Sequence, residues 1–296
     1  MMRGFTIHLS FGLTSVFIVN WAHLWGQKFC IQRHDDPKVL TFMRRARIVS
    51  IAITCIEISQ NVYFHINSII GAFPRSDQWS STLSVLEFIS TFTLSTITII
   101  AYLGNIHMFN IIYRGITLLI ADFIYFNRQL IRLRNERNIN LDRVSALRRF
   151  YSQAIRNTQN FERFARCEIG RLYIAFVLFY IVTAVEFFSA DQPKLIILVY
   201  FIFDSTILIC LTIKAIILHH FCHKDPETLY ELSLPMRSQK FRDEVNLFHY
   251  RLTRNDVGFT CLGVFTLTTN FVISIITLKF TIFMAIPSFL PFIGSH

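Results

Sequence analysis

Five apolar stretches of this chain are long enough to cross a bilayer, and a sixth exceeds that length. They run over residues 5–25, 48–72, 82–113, 168–189, 194–219 and 258–290. A hydrocarbon core of about 30 Å needs about 20 apolar residues in helical form. A chain with six such runs can satisfy its backbone polar groups in lipid only as a helical bundle or a closed barrel. A barrel shows short alternating segments between turn residues, and none occur here. The expected fold class is therefore all-α: a polytopic membrane protein with six transmembrane helices. Composition agrees, because 16% charged residues against 53% hydrophobic is far from the roughly one-quarter charged of a soluble domain.

The net charge of +10 admits nucleic acid as a partner until the positions of the charges are read. Loop 26–47 carries six Lys or Arg, segment 128–166 carries ten Arg, and loop 220–257 carries six more. The opposite side carries only Arg3, Arg75 and Lys194. The positive-inside rule places the three basic loops in the cytoplasm and both termini outside. A bias of that kind removes the nucleic-acid reading and leaves anionic membrane lipid as the counterpart. The stretch 5–25 reads as a true span, since no small-residue cleavage site follows it. The six cysteines are scattered, none in the short outer segments, so no disulfide framework is expected.

The chain divides on this reading into 1–127, three spans with cytoplasmic loop 26–47; 128–167, a basic cytoplasmic helical segment; 168–219, two further spans; 220–257, a cytoplasmic loop; and 258–296, the last span and an outer tail. The third run continues as an amphipathic helix past residue 130. Leu130, Ile131, Leu133, Val144, Leu147, Phe150, Tyr151 and Ile155 recur at helical spacing, as in helices packed together below a membrane. The run 258–290 spans about 48 Å as one helix, so part of it stands in water.

Ionisable residues inside spans face a bundle interior or a wet cavity. Glu87, Glu186 and Asp204 fall in the outer halves of their spans, near Tyr63, His65, Asn67, Trp79, Phe88, Tyr180 and Tyr200. Aromatic walls with a few polar groups suit a small-molecule pocket; an aromatic belt at the outer interface is the competing reading. The cluster "HHFCHK" at 219–224 holds imidazole and thiol groups, but adjacent helical residues point apart and no partner cluster exists. No metal, cofactor or catalytic constellation is expected. A phosphate loop, H-E-x-x-H and a nucleophile elbow are all missing from the sequence.

The carboxy-terminal stretch "GVFTLTTNFVISIITLKFTIFMAIPSF" resembles the closing signature of the insect gustatory receptors. Gly263, Val264 and Phe265 match the Gly-hydrophobic-Phe start of that family's last span. Thr281 and Phe289 match the Thr and Phe of its ending, while Ile282 stands for its Tyr and Ser288 for its Gln. The stretch "LRRFYSQAIRNTQNFERFARCEIGRLYIAF" is similar to the family's cytoplasmic helix entering a span. The family has seven spans with the carboxy terminus outside; six are counted here, which corresponds to that plan without its first span. A G-protein-coupled receptor reading fits less well, since D-R-Y and N-P-x-x-Y are missing and the charges place the carboxy terminus outside.

The resemblance implies a tastant-gated, non-selective cation channel subunit in the plasma membrane of sensory neurons. It implies homo- or heterotetramers with the last span lining the pore, and small-molecule tastants entering from outside. Carried over, Phe289 and Ser288 sit at the outer constriction, with Thr281, Ile282 and Lys279 below. A lysine facing a cation pore repels the permeant ion, so Lys279 is expected to face a neighbouring subunit or an acidic partner, or to snorkel. A non-conducting accessory subunit is the alternative that the departures Ile282 and Ser288 raise.

Overall fold

A computed structural model describes residues 36–71, 82–136, 139–189, 194–224, 226–233, 238–254 and 257–293. The first apolar run, 5–25, lies outside the described residues. The elements are α1 (Pro37–Gly71), α2 (Thr82–Asn135), α3 (Leu141–Ser189), α4 (Lys194–Cys222), α5 (Pro226–Ser233), α6 (Gln239–Thr253), a two-stranded hairpin β1 (Thr260–Cys261) and β2 (Phe265–Thr266), and α7 (Thr269–Ile293). The chain forms two compact units, one containing residues 48–112 and the other residues 29–47 and 113–296.

Caps set several helix starts. The Asp36 carboxylate accepts the Lys38 N–H at 2.9 Å, with Pro37 at the first helical position, where its missing N–H costs nothing. Asn140 accepts the Asp142 N–H at 3.1 Å and opens α3. The third apolar run does continue past residue 130, since α2 extends to Asn135. Residues 141–167 continue without a break into the following apolar run, since α3 extends for 49 residues, about 74 Å.

In the unit containing residues 113–296, α3 is the hub, packing against α4, α6, α7 and β1. Its amino-terminal half centres on Tyr151, which is fully buried. The ring lies 4.8 Å from Phe126 and 6.0 Å from Phe123 of α2, and 5.7 Å from Phe248 of α6. Its hydroxyl donates to the Cys222 carbonyl at 3.1 Å. Asn127 donates to the preceding carbonyl, Phe221, at 3.1 Å. The end of α4 thus has two of its orphan carbonyls satisfied by side chains of other helices. Higher on α3, Phe161 packs edge-on against Phe259 at 5.9 Å and fills the space left by Gly115 of α2.

The expected single helix over 258–290 is corrected by the structure. Residues 260–266 form the hairpin instead, with Thr260 opposite Thr266 and Cys261 opposite Phe265. Val264 N–H donates to the Cys261 carbonyl at 3.0 Å. Leu262 and Gly263 have φ of 55° and 77°. Two positive φ values at the centre of a hairpin turn describe type I′, for which glycine is suited. The Gly263-Val264-Phe265 match therefore marks a turn, and the helix starts only at Thr269, where the Thr268 hydroxyl accepts the Phe271 N–H at 3.4 Å. The hairpin is pinned to α3: Leu262 sits over Gly170, and the Thr260 hydroxyl donates to Glu162.

Asp36 is gripped from α2, paired with Arg128 and more loosely with Arg132. Burial alone raises its pKa, but the Lys38 and Val39 N–H groups and the two guanidinium groups outweigh that and hold it below the usual carboxylate value. A lowered folded pKa means the contribution is complete above the unfolded value of about 3.9 and is lost as pH falls through the folded one. Asp36→Asn should lower the thermal midpoint of the detergent-solubilised protein by a few degrees at pH 7. The gap should close as pH falls below about 4.

A Cβ on Gly115 would overlap the Phe161 ring, and that ring is held by Phe164 and Phe259. Overpacking costs about 1–3 kcal/mol against a helix-propensity gain of about 1 kcal/mol. Gly115→Ala should lower the midpoint in the same assay, and adding Phe161→Leu should recover part of the loss.

Candidate functional site

α7 is a 25-residue apolar helix, about 38 Å long. Among the described residues two helical stretches are long and apolar enough to cross a membrane, Ile106–Asn135 and Thr269–Ser288. The first is mostly buried among other helices, whereas 6% of the second is buried. Ile273, Ile276, Leu278, Phe280 and Met284 of α7 are each half or more exposed. An apolar surface of that kind requires lipid or other protein around it.

The two faces of α7 differ. One packs on α3: Phe271 against Tyr173 at 5.3 Å, Phe283 against Phe188 at 5.0 Å, and Ile286 buried. Lys279 belongs to this face. Its ammonium lies 3.5 Å above the Phe176 ring and 5.6 Å from Tyr180, and the Tyr180 hydroxyl donates to the Lys279 carbonyl at 2.8 Å. The negative π-faces attract the ammonium. Lys279 lies over aromatic rings of its own chain.

The outward face carries Asn270, Ser274, Thr277, Thr281, Met284 and Ser288, all exposed. Their spacing alternates four and three, so they form one line along the helix. Ser274 donates to the Asn270 carbonyl at 3.0 Å, Thr277 to Ile273 at 3.0 Å and Thr281 to Thr277 at 2.9 Å. Each of these three hydroxyl protons is committed to the helix backbone, leaving oxygen lone pairs outward. Of the expected pore residues, Thr281 and Ser288 lie on this line. Ile282 is half-buried beside it, and the side chain of Phe289 lies outside the described residues.

The ligand candidates distribute over four helices: Tyr63, His65 and Asn67 on α1, Glu87 and Phe88 on α2, Tyr180 and Glu186 on α3, Tyr200 and Asp204 on α4. Tyr63 is exposed, His65 buried, and Phe88 half-buried with its ring 6.3 Å from Phe92. Tyr180 is buried, with its hydroxyl used by α7. The side chains of Asn67, Glu87, Glu186, Tyr200 and Asp204, and Trp79 entirely, lie outside the described residues. Sequence reasoning misses Phe176: it is one of 31 phenylalanines, it stands in an apolar run, and nothing marks it as the seat of a lysine. In the 219–224 cluster, His219 and His223 turn their Nδ1 atoms to the carbonyls of Val257 and Leu252 at 3.0 and 3.3 Å. Among the described residues no three His, Cys, Asp or Glu gather as a metal site.

The seat of Lys279 can be probed by charge. Lys279→Met keeps an apolar stem against Phe176 and should shift the thermal midpoint only slightly. Lys279→Glu sets a carboxylate over the negative face of the rings and should destabilise by more than about 2 kcal/mol, read by thermal unfolding in detergent.

No protein-family model matches the sequence, and no curated protein sequence matches it significantly. Solved structures do match. One is the insect olfactory receptor OR5 from Machilis hrabei in complex with eugenol, with a TM-score of 0.60 and 12% identity over 97% of this chain and 80% of that one. Another structure of the same receptor aligns with a TM-score of 0.56 and 13% identity, over 96% and 78% of the two chains. This chain has the fold of the insect olfactory receptors.

Proposed function

We propose that this chain is an insect chemosensory receptor of the gustatory type: a subunit of a tastant-gated, non-selective cation channel in the plasma membrane of sensory neurons. The fold it shares with an insect olfactory receptor supports the chemosensory class, and the carboxy-terminal signature favours the gustatory branch. The observation that carries the channel reading is the line of outward hydroxyls on α7. Four such helices around an axis present rings of oxygen acceptors to the permeant ion, a surface suited to hydrated cations. With Lys279 seated on α3, its charge is off that line. A small organic compound is the ligand class, as eugenol is for the olfactory receptor. Its differential affinity for the open state would drive gating.

The test is expression in cells followed by a ligand screen on membrane current. Thr281→Cys should make that current sensitive to block by a water-soluble thiol reagent, while Ile286→Cys, on the α3-facing side, should not. A carboxy-terminal tag should stain on intact cells. Current only on co-expression with another receptor would indicate an accessory subunit, and insensitivity of Thr281→Cys would place the hydroxyl line outside the conduction path.

A further inference from the structure

α1 changes character abruptly along two of its exposed lines. Arg44 is followed at helical spacing by Ile48, Ile51 and Cys55, and Arg45 by Val49, Ala52 and Ile56, all exposed. Arg47, also exposed, lies within the same turn, about 60° round the helix from Arg44 on the side away from Arg45. Arg44 and Arg45 thus each stand at the foot of an outward apolar line. That is the level at which a helix passes from water into acyl chains. Helical side chains tilt toward the amino-terminal end, which on α1 is the cytoplasmic side, so the three guanidinium groups reach back toward the headgroup layer. Lys38 lies two turns deeper on the line of Arg45.

Among the described residues no carboxylate pairs with these cations. Residues 37–56 contain no Asp or Glu, and the neighbouring Asp36 is already held by Arg128 and Arg132. Among the described residues Arg44, Arg45 and Arg47 form no ion pair, whereas Arg134, Arg143 and Arg148 each have a glutamate. The turn that carries them is held in place by Phe42, whose ring lies 4.7 Å from the ammonium of Lys214, itself 5.0 Å from the Tyr113 ring. Three forked donors within one turn exceed what a headgroup of single net charge can use; they match one carrying several phosphate oxygens.

We propose that Arg44, Arg45 and Arg47 form a binding site for an inner-leaflet lipid with a multiply phosphorylated headgroup, of the phosphoinositide class. The inference rests on the membrane orientation proposed above. The test uses the full chain in lipid nanodiscs containing phosphatidylcholine with a trace of fluorescent phosphatidylinositol bisphosphate, or of fluorescent phosphatidylserine. Binding is read by energy transfer from the tryptophans. The bisphosphate lipid should be enriched around the protein at least tenfold over phosphatidylserine. Arg44→Gln/Arg45→Gln/Arg47→Gln should abolish the difference. Arg149→Gln/Arg156→Gln/Arg163→Gln removes exposed arginines of α3 that form no ion pair among the described residues, and should leave it unchanged. Equal enrichment of the two lipids, or equal loss in both triple variants, overturns the site. Failure of the chain to enter nanodiscs at all is a separate result, and it overturns the membrane reading instead.

Discussion

The contact on which the larger unit depends is that of Tyr151 with its surroundings. One fully buried side chain touches aromatic rings from α2 and α6 and donates its hydroxyl to the last turn of α4. Four helices therefore meet at a single residue of α3. The ring contributes apolar burial of the kind any aromatic gives, while the hydroxyl fixes orientation, because a buried phenol without an acceptor is costly. Asn127 adds a second bond to the adjacent carbonyl, so the end of α4 is tied on two sides. Above this level the same helix receives Phe259, the hairpin and then α7, which makes α3 the frame against which the last helix is positioned.

That framing resolves the chemistry of α7. Its buried cation and its acceptor line lie on different faces because α3 supplies Phe176 and Tyr180 at the matching height. The Tyr180 hydroxyl reinforces the register by bonding the backbone of the same lysine. Ser274, Thr277 and Thr281, each donating to a carbonyl one turn back, have their hydroxyl protons satisfied within the helix. The helix thus combines a dry, aromatic-lined face with a face that tolerates water, while its flanking aliphatics tolerate lipid or a second helix.

Much of this was legible in the sequence, and the exceptions have physical reasons. Long apolar runs and the helical spacing of Leu130, Val144, Leu147, Tyr151 and Ile155 anticipated long helices packed on one another. The hairpin was missed because Val264 and Phe265 are apolar and flank a helix of the same composition; only the glycine hinted at a positive φ. The direction of Lys279 was not readable either. Helical periodicity says which residues share a face, but not which face meets a neighbour, and that depends on Phe176, about a third of the chain earlier. Of the ligand candidates, only Tyr180 can be tied to the last helix by a described contact.

The unbroken length of α3 has a mechanical consequence. From Tyr151 to Tyr180 is 29 residues of continuous helix, about 44 Å. With one end clamped in the aromatic cluster and the other bonded to α7, the helix behaves as a lever. Pivoting it at Tyr151 by about 5° carries the Tyr180 contact sideways by about 4 Å. A tilt that barely disturbs packing near the fulcrum is therefore magnified where the last helix is held.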